Sequence, residues 1–283
     1  MIPYGKQSIS KTDIKNLNKV LKSNWLTQGP LVPRFEKKIA KFVGAKYAVA
    51  TNSASSALHI SCLTLGLKKN HYFWTSSNSF VASANCGLHC GAKVDFVDID
   101  EKTWNISLEL LIEKLKFSKK KNKSYWYYEQ QLLGFNYKMN ELEASLGLSQ
   151  LKKLTKFVKR RNQIARIYNK LLKDLPIQLP FIKKLNYSTF HLFVIRFNKK
   201  LIKNYSYKKI FDKIRKRGIG INLHYLPIHL QPYFKKLGFK SNYLINSENY
   251  SNEAISLPIY HELKLIEQKK VITTIKNVLN EYK

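Results

Sequence analysis

The sequence predicts an α/β protein with a parallel sheet, followed by a smaller α+β unit. Between residues 47 and 99, apolar β-type runs alternate with helical periodicity in the order β–α–β–α–β, which is typical of a parallel sheet with helices on its faces. The composition changes abruptly at Ser124. From residue 176 onward, a strand, a helix, a short strand and a final helix indicate a separate smaller unit.

In the first half, capping residues and apolar periodicity define the predicted helices. Ser10 and Asp13 have the spacing of a capping box, and a turn of small polar residues at 51–56 opens a helix that Gly66 ends. The other predicted helices cover residues 10–23, 34–43, 78–90 and 107–117, the last with Leu108, Leu111, Ile112 and Leu115 inward. Strands are predicted over residues 47–50, 72–75 and 93–99.

The second half is predicted to be mainly helical. A helix over residues 140–151 carries small residues at Ala144, Ser145 and Gly147, which favour close packing against a neighbour. Further helices are predicted over residues 155–175, 206–217 and 263–283, and strands over residues 189–197 and 220–223. We expect a partial large domain over residues 1–123, a helical connection over residues 124–175 and a small domain over residues 176–283.

The turn at residues 51–56 is a candidate anion site. A strand, a small-residue turn and a helix together direct free backbone N–H groups and the positive end of the helix at one point. Hydroxyls at Ser55 and Ser56 add donors, and their small size allows a phosphate group to approach closely. An ordinary N-cap cluster is the alternative reading of the same residues.

The net charge of +32 raises the question of a nucleic-acid partner. Only seven of the 50 basic residues are arginine, the residue suited to bidentate contacts with bases and phosphates. The lysines are spread over almost every predicted helix and do not form one stripe. We therefore expect no nucleic-acid partner, and an acidic, phosphate-bearing small substrate suits the charge equally well.

Cysteine content and hydropathy indicate a cytoplasmic protein. Cys62, Cys86 and Cys90 are an odd number of thiols in apolar surroundings, which fits reduced buried residues better than disulfides or a metal site. No apolar run reaches membrane-spanning length, and the first residues are too polar for a signal peptide. We expect no metal and no membrane association.

Six motifs, in this order, resemble the DegT-type family of pyridoxal-phosphate-dependent sugar aminotransferases. They are IPYGKQSI at the start, WLTQGPLVPRFE at 25–36, AVATNSASSALHIS at 48–61, SFVASANCGLHCGAKVDFVDID at 79–100, LGFNYKMNELEASLGLSQL at 133–151 and HYLPIHLQPYF at 224–234. Within that family, TQGP and the YYEQQ…SQLKKL stretch are most similar to the branch that serves pseudaminic acid synthesis. The resemblance implies a fold type I, aspartate-aminotransferase-like large domain with a truncated sheet.

The resemblance also implies roles for individual residues. Ala54, Ser55 and Ser56 would hold the phosphate of pyridoxal 5'-phosphate, and Phe80 would stack on its ring. Asn136 matches an asparagine that reaches the phosphate in the neighbouring subunit, which implies a homodimer. The residues that match substrate-facing positions are Tyr4, Asn24, Trp25, Leu26, Thr27, Tyr225 and His229. Without the family order, Phe80 and Tyr225 would be read as core aromatics and Asn136 as a turn former.

One part of the family pattern does not occur in this sequence. The family carries its Schiff-base lysine and its pyridinium-binding aspartate between the equivalents of residues 93–99 and the YYEQQ stretch. Here the chain passes from the helix at 107–117 through KKKNK directly to SYWYYEQQ, and it is shorter than the family by on the order of a hundred residues. Lys119, Lys120, Lys121 and Lys123 lie in this solvated run, whereas a Schiff-base lysine must be desolvated. We expect no catalytic residue and no stable internal aldimine.

The sequence thus predicts an aminotransferase of a nucleotide-linked 4-keto-6-deoxy sugar by family, with glutamate as amino donor, that is inactive as it stands. Two rivals remain. A non-catalytic protein could keep a sugar-nucleotide-binding or dimer surface and would bind ligand without turnover. A basic nucleic-acid binder would lose affinity steeply with salt.

Overall fold

The structure is a computed structural model, and it describes residues 1–116 and 136–282. The helices are α1 (Lys11–Leu21), α2 (Leu31–Val43), α3 (Ala54–Thr64), α4 (Ala82–His89), α5 (Leu108–Lys116), α6 (Glu141–Leu151), α7 (Leu154–Leu172), α8 (Tyr207–Lys216), α9 (Pro232–Lys236), α10 (Ile245–Ser251) and α11 (Leu265–Asn280). The strands are β1 (Tyr72–Ser76), β2 (Lys93–Val97), β3 (Ile177–Gln178), β4 (Phe193–Phe197) and β5 (Ala254–Leu257), and a 3-10 helix covers Ile228–Leu230.

The first sheet confirms the predicted parallel pairing of two strands. β1 and β2 run parallel, with Tyr72 opposite Lys93 and Ser76 opposite Val97. The crossover between them is α4, which packs on both strands. Gly87 of α4 allows this close approach, because a Cβ atom there would lie 2.6 Å from the Phe73 ring. The predicted β–α–β unit is therefore present, with its helix starting at Ala82 and not at residue 78.

The predicted strand at residues 47–50 is not part of a sheet. The segment has no regular secondary structure, and a single bridge pairs the following residue, Thr51, with Lys138. Tyr47 and Val49 are 75% and 79% exposed. A parallel strand needs hydrogen-bonding neighbours on its edges, and none pairs with residues 47–50 in the part of the chain that the structure describes.

The second sheet is antiparallel and supports the largest core. Its order is β3–β4–β5, with Phe193 opposite Leu257. Phe193, Ile195 and Phe197 of β4 are fully buried against α7, α8 and α11. The predicted strand at residues 189–197 is thus shortened to β4. The predicted strand at residues 220–223 forms only a bridge between Asn222 and Ser256.

Burial is uneven between the two halves of the chain. The largest cluster of buried residues is built almost entirely from residues 164–279, with Ile2 added from the N-terminus. By contrast, α5 has no buried residue, although its apolar face was predicted to point inward, and Leu108 is 67% exposed. This prediction is wrong because no described segment covers that face of α5.

A smaller core joins the two halves near the candidate site. Phe96 of β2 packs against Ile228 and Phe234, with ring centroids of the two phenylalanines 5.6 Å apart. Ile228 N donates to Ser77 O at 2.9 Å, which places the segment before the 3-10 helix at the carboxyl end of β1. The carboxyl ends of parallel strands are where ligands bind in α/β sheets.

Candidate functional site

The N-terminus of α3 forms a turn, residues 53–56, that we call the cradle. Ser53 is the N-cap, and its Oγ accepts a hydrogen bond from Ser56 N at 3.2 Å. The buried Ser56 hydroxyl donates to Asn52 Oδ1 at 2.7 Å. The backbone N–H groups of Ala54 and Ser55 have no acceptor within residues 1–116 and 136–282, and both residues are exposed. The N–H groups of Ala54 and Ser55 can therefore donate hydrogen bonds to an anion. Ser56 instead stabilises the turn through its hydrogen bonds to Ser53 and Asn52.

The segment at residues 136–138 lies directly beside the cradle. Asn52 N donates to Tyr137 O at 2.9 Å, and Lys138 is the bridge partner of Thr51. Asn136 and Lys138 are both exposed. The structure thus brings the predicted Asn136 segment next to the predicted phosphate turn of the same chain, and it adds Lys138, a cation that sequence reasoning did not single out.

The loop between α1 and α2 reaches the same segment from the other side. Glu141 N donates to Leu26 O at 3.1 Å. Gly29 permits this packing, because a Cβ atom there would lie 2.7 Å from Trp25 Cβ and 3.0 Å from Glu141. The predicted substrate-facing residues of this loop are all exposed: Asn24, Trp25, Leu26 and Thr27.

Glu141 is a buried carboxylate that sequence reasoning missed. It is 1% exposed, and its two oxygens accept hydrogen bonds from Leu31 N and Val32 N, each at 2.9 Å. These N–H groups open α2, so the carboxylate fixes the N-terminus of that helix on α6. Since the partners lie about 110 residues earlier in the chain, no local pattern could reveal the contact.

A line of four aromatic rings lies at the carboxyl end of β1. The ring centroids of Tyr4 and His224 are 5.2 Å apart, those of His224 and Tyr225 are 5.0 Å apart, and those of Tyr225 and Phe80 are 5.9 Å apart. Phe80 remains 56% exposed and is therefore able to face a ligand. The predicted residues Tyr4, Phe80 and Tyr225 are thus brought together.

His224 completes this line and was not predicted. Its Nδ1 lies 2.7 Å from Ser256 Oγ. Burial, and then the charge of His191, lower the pKa of His224, so the ring is neutral near pH 7. The HYLPIHL motif carries two histidines, and its pattern alone does not distinguish which of them faces the site.

His229, predicted to lie at the same mouth, is instead found in the interior. His229 is fully buried, and its Nε2 lies 3.0 Å from Glu248 Oε1. Its ring packs near Phe96, with centroids 6.3 Å apart. Within the 3-10 helix, His229 is buried together with the adjacent Ile228. His229 therefore belongs to the core between the two halves.

The acidic residues in β2 and directly after it serve structural roles. Asp98 accepts hydrogen bonds from Asn246 N and Ser247 N at 2.9 and 3.0 Å and so holds the N-terminus of α10. Asp95 pairs with Lys114 and accepts from Tyr243 Oη at 2.7 Å. Asp100 Oδ1 accepts one hydrogen bond from the Thr103 hydroxyl and another from Thr103 N. Both bonds, the hydroxyl bond most strongly, lower the pKa of Asp100.

The lysines of the described chain are exposed or partly buried, and none is fully buried. The side chains of Lys114 and Lys153 are each 24% exposed. Lys114 pairs with Asp95, and Lys153 pairs with Asp13. The predicted lysine run at residues 119–123 and the YYEQQ stretch lie outside the described residues. No described lysine therefore has the desolvated surroundings that favour a nucleophilic amine.

The three cysteines are free thiols at the contact of α3 and α4. Burial, and then the neighbouring Cys62, raise the pKa of Cys86 to about 12, so this thiol is inert at neutral pH. Within residues 1–116 and 136–282, no three histidine, cysteine or acidic side chains are grouped so as to hold a metal ion. None of the described helices has the length and apolarity required to span a bilayer.

Comparison with known proteins gives a family match over most of the chain. The sequence model of the DegT/DnrJ/EryC1/StrS aminotransferase family matches residues 7–120 and 112–276. A similar curated protein is the UDP-4-amino-4,6-dideoxy-N-acetyl-beta-L-altrosamine transaminase of Campylobacter jejuni, 27% identical over 376 residues and covering 100% of this chain and 99% of that protein. The spore coat polysaccharide biosynthesis protein SpsC of Bacillus subtilis is 26% identical over 377 residues, covering 98% and 97%.

Solved structures share the fold. The putative sugar aminotransferase Spr1654 from Streptococcus pneumoniae, in its PLP form, superposes with a TM-score of 0.89 at 19% identity, covering 100% of this chain and 99% of that one. Helicobacter pylori PseC, an aminotransferase of pseudaminic acid biosynthesis, gives a TM-score of 0.84 at 22% identity, covering 99% and 100%. The α/β fold of the aminotransferases is thereby confirmed.

Proposed function

The chain belongs to the DegT/DnrJ/EryC1/StrS aminotransferase family, and from that relation we propose that it binds its cofactor and a nucleotide sugar but does not transfer an amino group. Sugar aminotransferases of this family use pyridoxal 5'-phosphate. The reaction that the relation favours is transfer from glutamate to a nucleotide-linked 4-keto-6-deoxy sugar, since the Campylobacter jejuni relative is named for a UDP-linked aminodideoxy sugar.

The phosphate end of the cofactor fits the cradle. The free N–H groups of Ala54 and Ser55 stand at the N-terminus of an 11-residue helix, where backbone dipoles favour a dianion. Asn136 and Lys138 lie alongside and are exposed. This arrangement is the observation that carries the proposal. When bound, pyridoxal 5'-phosphate supplies an electron sink for charge that develops next to the amino group.

The reactive end of the cofactor does not fit the described residues. Amino transfer needs a desolvated lysine and an acid on the pyridine nitrogen. Asp95, Asp98 and Asp100 are occupied by structural contacts, and no described lysine is fully buried. We therefore derive no catalytic step, and catalysis is not among the properties that we propose for this chain.

Two features of the comparisons support a missing internal segment. The family model matches in two stretches that meet at residues 112–120, next to the predicted junction between Lys123 and Ser124. The alignment with the Campylobacter jejuni relative extends over 376 residues, whereas this chain has 283. The family's lysine and aspartate would lie in that segment.

The aromatic line supports a place for the ring and the sugar. Phe80 is exposed enough to stack on the cofactor ring, and Tyr4 and Tyr225 continue from it. Stacking of this kind contributes about 1 kcal/mol beyond area burial. We propose His224, in place of His229, as the histidine beside the substrate. We also propose a homodimer, on the family resemblance alone, since the Asn136 segment lies beside the cradle of its own chain.

Equilibrium dialysis with pyridoxal 5'-phosphate tests the cradle. Ser55→Asp places a negative charge where the phosphate would lie, and we expect the dissociation constant to rise at least about tenfold. An aspartate in the first helical turn also favours the helix, so loss of binding would not reflect unfolding. Ser61→Asp, on the exposed side of the same helix, is the matched control and should leave binding unchanged.

A single-turnover assay with glutamate tests the absence of transfer. We expect no 2-oxoglutarate above the background that free cofactor gives with the Ser55→Asp variant. One equivalent of 2-oxoglutarate per chain would contradict the proposal and identify an active aminotransferase. Equal cofactor binding by the Ser55→Asp and Ser61→Asp variants would instead show that the cradle does not bind the cofactor phosphate.

A further inference from the structure

The outward face of α1 carries a row of lysines, which ends at the C-cap of the helix. Their spacing of three or four residues places all of them on one side: Lys11, Lys15, Lys19 and Lys22. All are exposed, and none forms an ion pair with another residue in the described ranges. Like charges at i and i+4 destabilise a helix, so an anionic surface laid against this face would relieve repulsion.

The other side of α1 is fixed on the protein and leaves the lysine row outward. Asp13 and Val20 are the buried residues of the helix, and Asp13 pairs with Lys153 between α6 and α7. Asp13 is also the one acidic residue before Glu36 in the sequence. Because its charge is used in that buried contact, no carboxylate of α1 offsets the outward lysines.

Two exposed apolar side chains border the lysine row. Ile14 and Leu21 are seven residues apart, which places them two turns from each other on the same side of α1. They are 51% and 57% exposed. Ile14 lines a surface groove together with Asn18 and the side chains of the lysine row. Unpaired ammonium groups next to exposed aliphatic side chains suit the boundary between lipid headgroups and acyl chains.

A second lysine-rich helix, α8, has neither property. Lys208 pairs with Asp212, and Lys213 and Arg217 both pair with Glu281. Its large apolar side chains are all buried or partly buried. The lysine row of α1 is therefore distinct from the generally basic surface of the chain, and α8 supplies a control for it.

An anionic lipid surface fits this face better than a nucleic acid does. α1 contains no arginine and no aromatic residue, so it offers neither a bidentate fork for guanine nor a ring that stacks on a base. Against a phosphate backbone, Ile14 and Leu21 would stay in water. At a membrane they would enter the headgroup region and lose contact with water.

We propose that α1 binds the surface of a membrane that contains anionic phospholipids, with the lysine row on the headgroups and Ile14 and Leu21 inserted between them. The expectation of no membrane association rests on the absence of a spanning run, whereas contact at the surface needs none. The inference goes beyond the proposed function, because no residue of α1 belongs to the cradle or to the aromatic line. Binding to the surface requires neither cofactor nor amino transfer.

Cosedimentation of the full chain with lipid vesicles tests the proposal. One set of vesicles is phosphatidylcholine alone, and the other contains phosphatidylcholine and phosphatidylglycerol at about two to one. We expect binding to the anionic vesicles alone, with an affinity that falls as salt rises. Each lysine near an anionic leaflet strengthens binding about fivefold, so Lys15→Gln with Lys22→Gln should weaken it about 25-fold. Ile14→Gln should weaken it about fivefold.

The matched control is Lys209→Gln with Lys216→Gln on α8. It removes the same charge at the same spacing of seven residues, from two exposed lysines that form no ion pair with a described residue. We expect this double variant to bind the anionic vesicles as tightly as the unmodified chain does. Lysine and glutamine have similar helix propensities, so all variants are expected to fold, which circular dichroism would verify.

Four results would overturn the inference. Equal losses in the two double variants would mean that the vesicles attract the general positive charge of the surface. Unchanged binding of Ile14→Gln would contradict the insertion of its side chain between the headgroups. No sedimentation with anionic vesicles would mean that α1 does not bind a lipid surface. Binding of a DNA duplex that depends on Lys15 and Lys22, without binding of vesicles, would assign the lysine row to a nucleic acid.

Discussion

At the scale of single residues, Asp13 connects the start of the chain with α6. The sequence predicts its capping box with Ser10, and this is confirmed. The fully buried carboxylate also accepts from Gln150 Nε2 at 3.0 Å and pairs with Lys153. Those partners could not be predicted, because they lie about 140 residues away in sequence. The capping box can be predicted from the spacing of Ser10 and Asp13. The contacts of Asp13 with Gln150 and Lys153 cannot, because they form only when α6 packs against α1.

Asp13→Asn should destabilise the protein. The change leaves the Lys153 ammonium, which is 24% exposed, without its anionic partner, and loss of a partner at a partly buried charge costs about 1–3 kcal/mol. Urea unfolding should show this loss, and Asp174→Asn, on an exposed residue that pairs with none of the described residues, is the control. Equal midpoints for the two variants would contradict the role assigned to Asp13.

The same residue should contribute to acid sensitivity. Burial by itself would raise the pKa of Asp13, but hydrogen bonds from Lys153, Ser149 and Ser10 outweigh it and hold the pKa well below its usual range. A depressed pKa in the folded state means that the stabilisation is fully present above the unfolded value of about 3.9 and is lost as pH falls further. Below about pH 4, stability should therefore fall more steeply in the wild type than in Asp13→Asn. Parallel pH profiles would contradict this.

At the scale of elements, helix boundaries followed from the sequence better than strand pairing did. Gly66, predicted to end α3, has a left-handed φ value of 74°, and Gly44, which ends α2, has one of 71°. The predicted small-residue face of α6 is also confirmed, because a Cβ atom on Gly147 would lie 2.8 Å from the Phe35 ring. Residues 47–50 have the composition of a strand but pair with no strand within residues 1–116 and 136–282, and a sequence pattern does not show whether a neighbouring strand exists.

The loop before α2 depends on Gly29. A methyl group there would meet Trp25 Cβ at 2.7 Å and the Glu141 carboxyl at 3.0 Å, so the loop or α6 must shift. We expect Gly29→Ala to lower the free energy of unfolding by about 1–3 kcal/mol. Gly5→Ala, where nothing lies within 4 Å, should have no such effect. Equal melting temperatures for Gly29→Ala and Gly5→Ala would contradict this prediction, because they would show that the loop accommodates the methyl group without loss of stability.

At the scale of the whole molecule, the two sheets differ in how well they are covered. The residues of β5 are all buried and those of β4 alternate between buried and partly buried, whereas β1 has no fully buried residue. The order of elements and the α/β class were readable from local periodicity. The exposure of α5 and of residues 47–50 could not be predicted. Periodicity shows which face of an element is apolar, but it does not show whether another segment packs on that face.

Hydrogen exchange should report this difference. Amide protection depends on burial and local stability, so we expect the amides of β4 and β5 to exchange at least about tenfold more slowly than those of β1 and β2. Mass spectrometry of peptic fragments would measure both sheets in one experiment. Equal protection would mean that the first sheet is covered in solution, for example by a second copy of the chain.

The gap itself can be checked on the encoding nucleic acid. Reading it again across Lys123 and Ser124 should confirm the junction if the shortened chain is genuine. A recovered stretch that carries an aspartate after a strand and a lysine before a glycine-rich turn would restore the family's catalytic groups.

We propose that this relative of the aminotransferases keeps a phosphate cradle without a lysine that bonds to the cofactor. The most direct test is to add pyridoxal 5'-phosphate to the purified chain, reduce with borohydride, digest, and locate any pyridoxyl group by mass spectrometry. We predict no stoichiometric label at one lysine, and only a low scatter over exposed lysines that Ser55→Asp does not change. A single lysine labelled to one equivalent per chain, and lost in Ser55→Asp, would contradict the account.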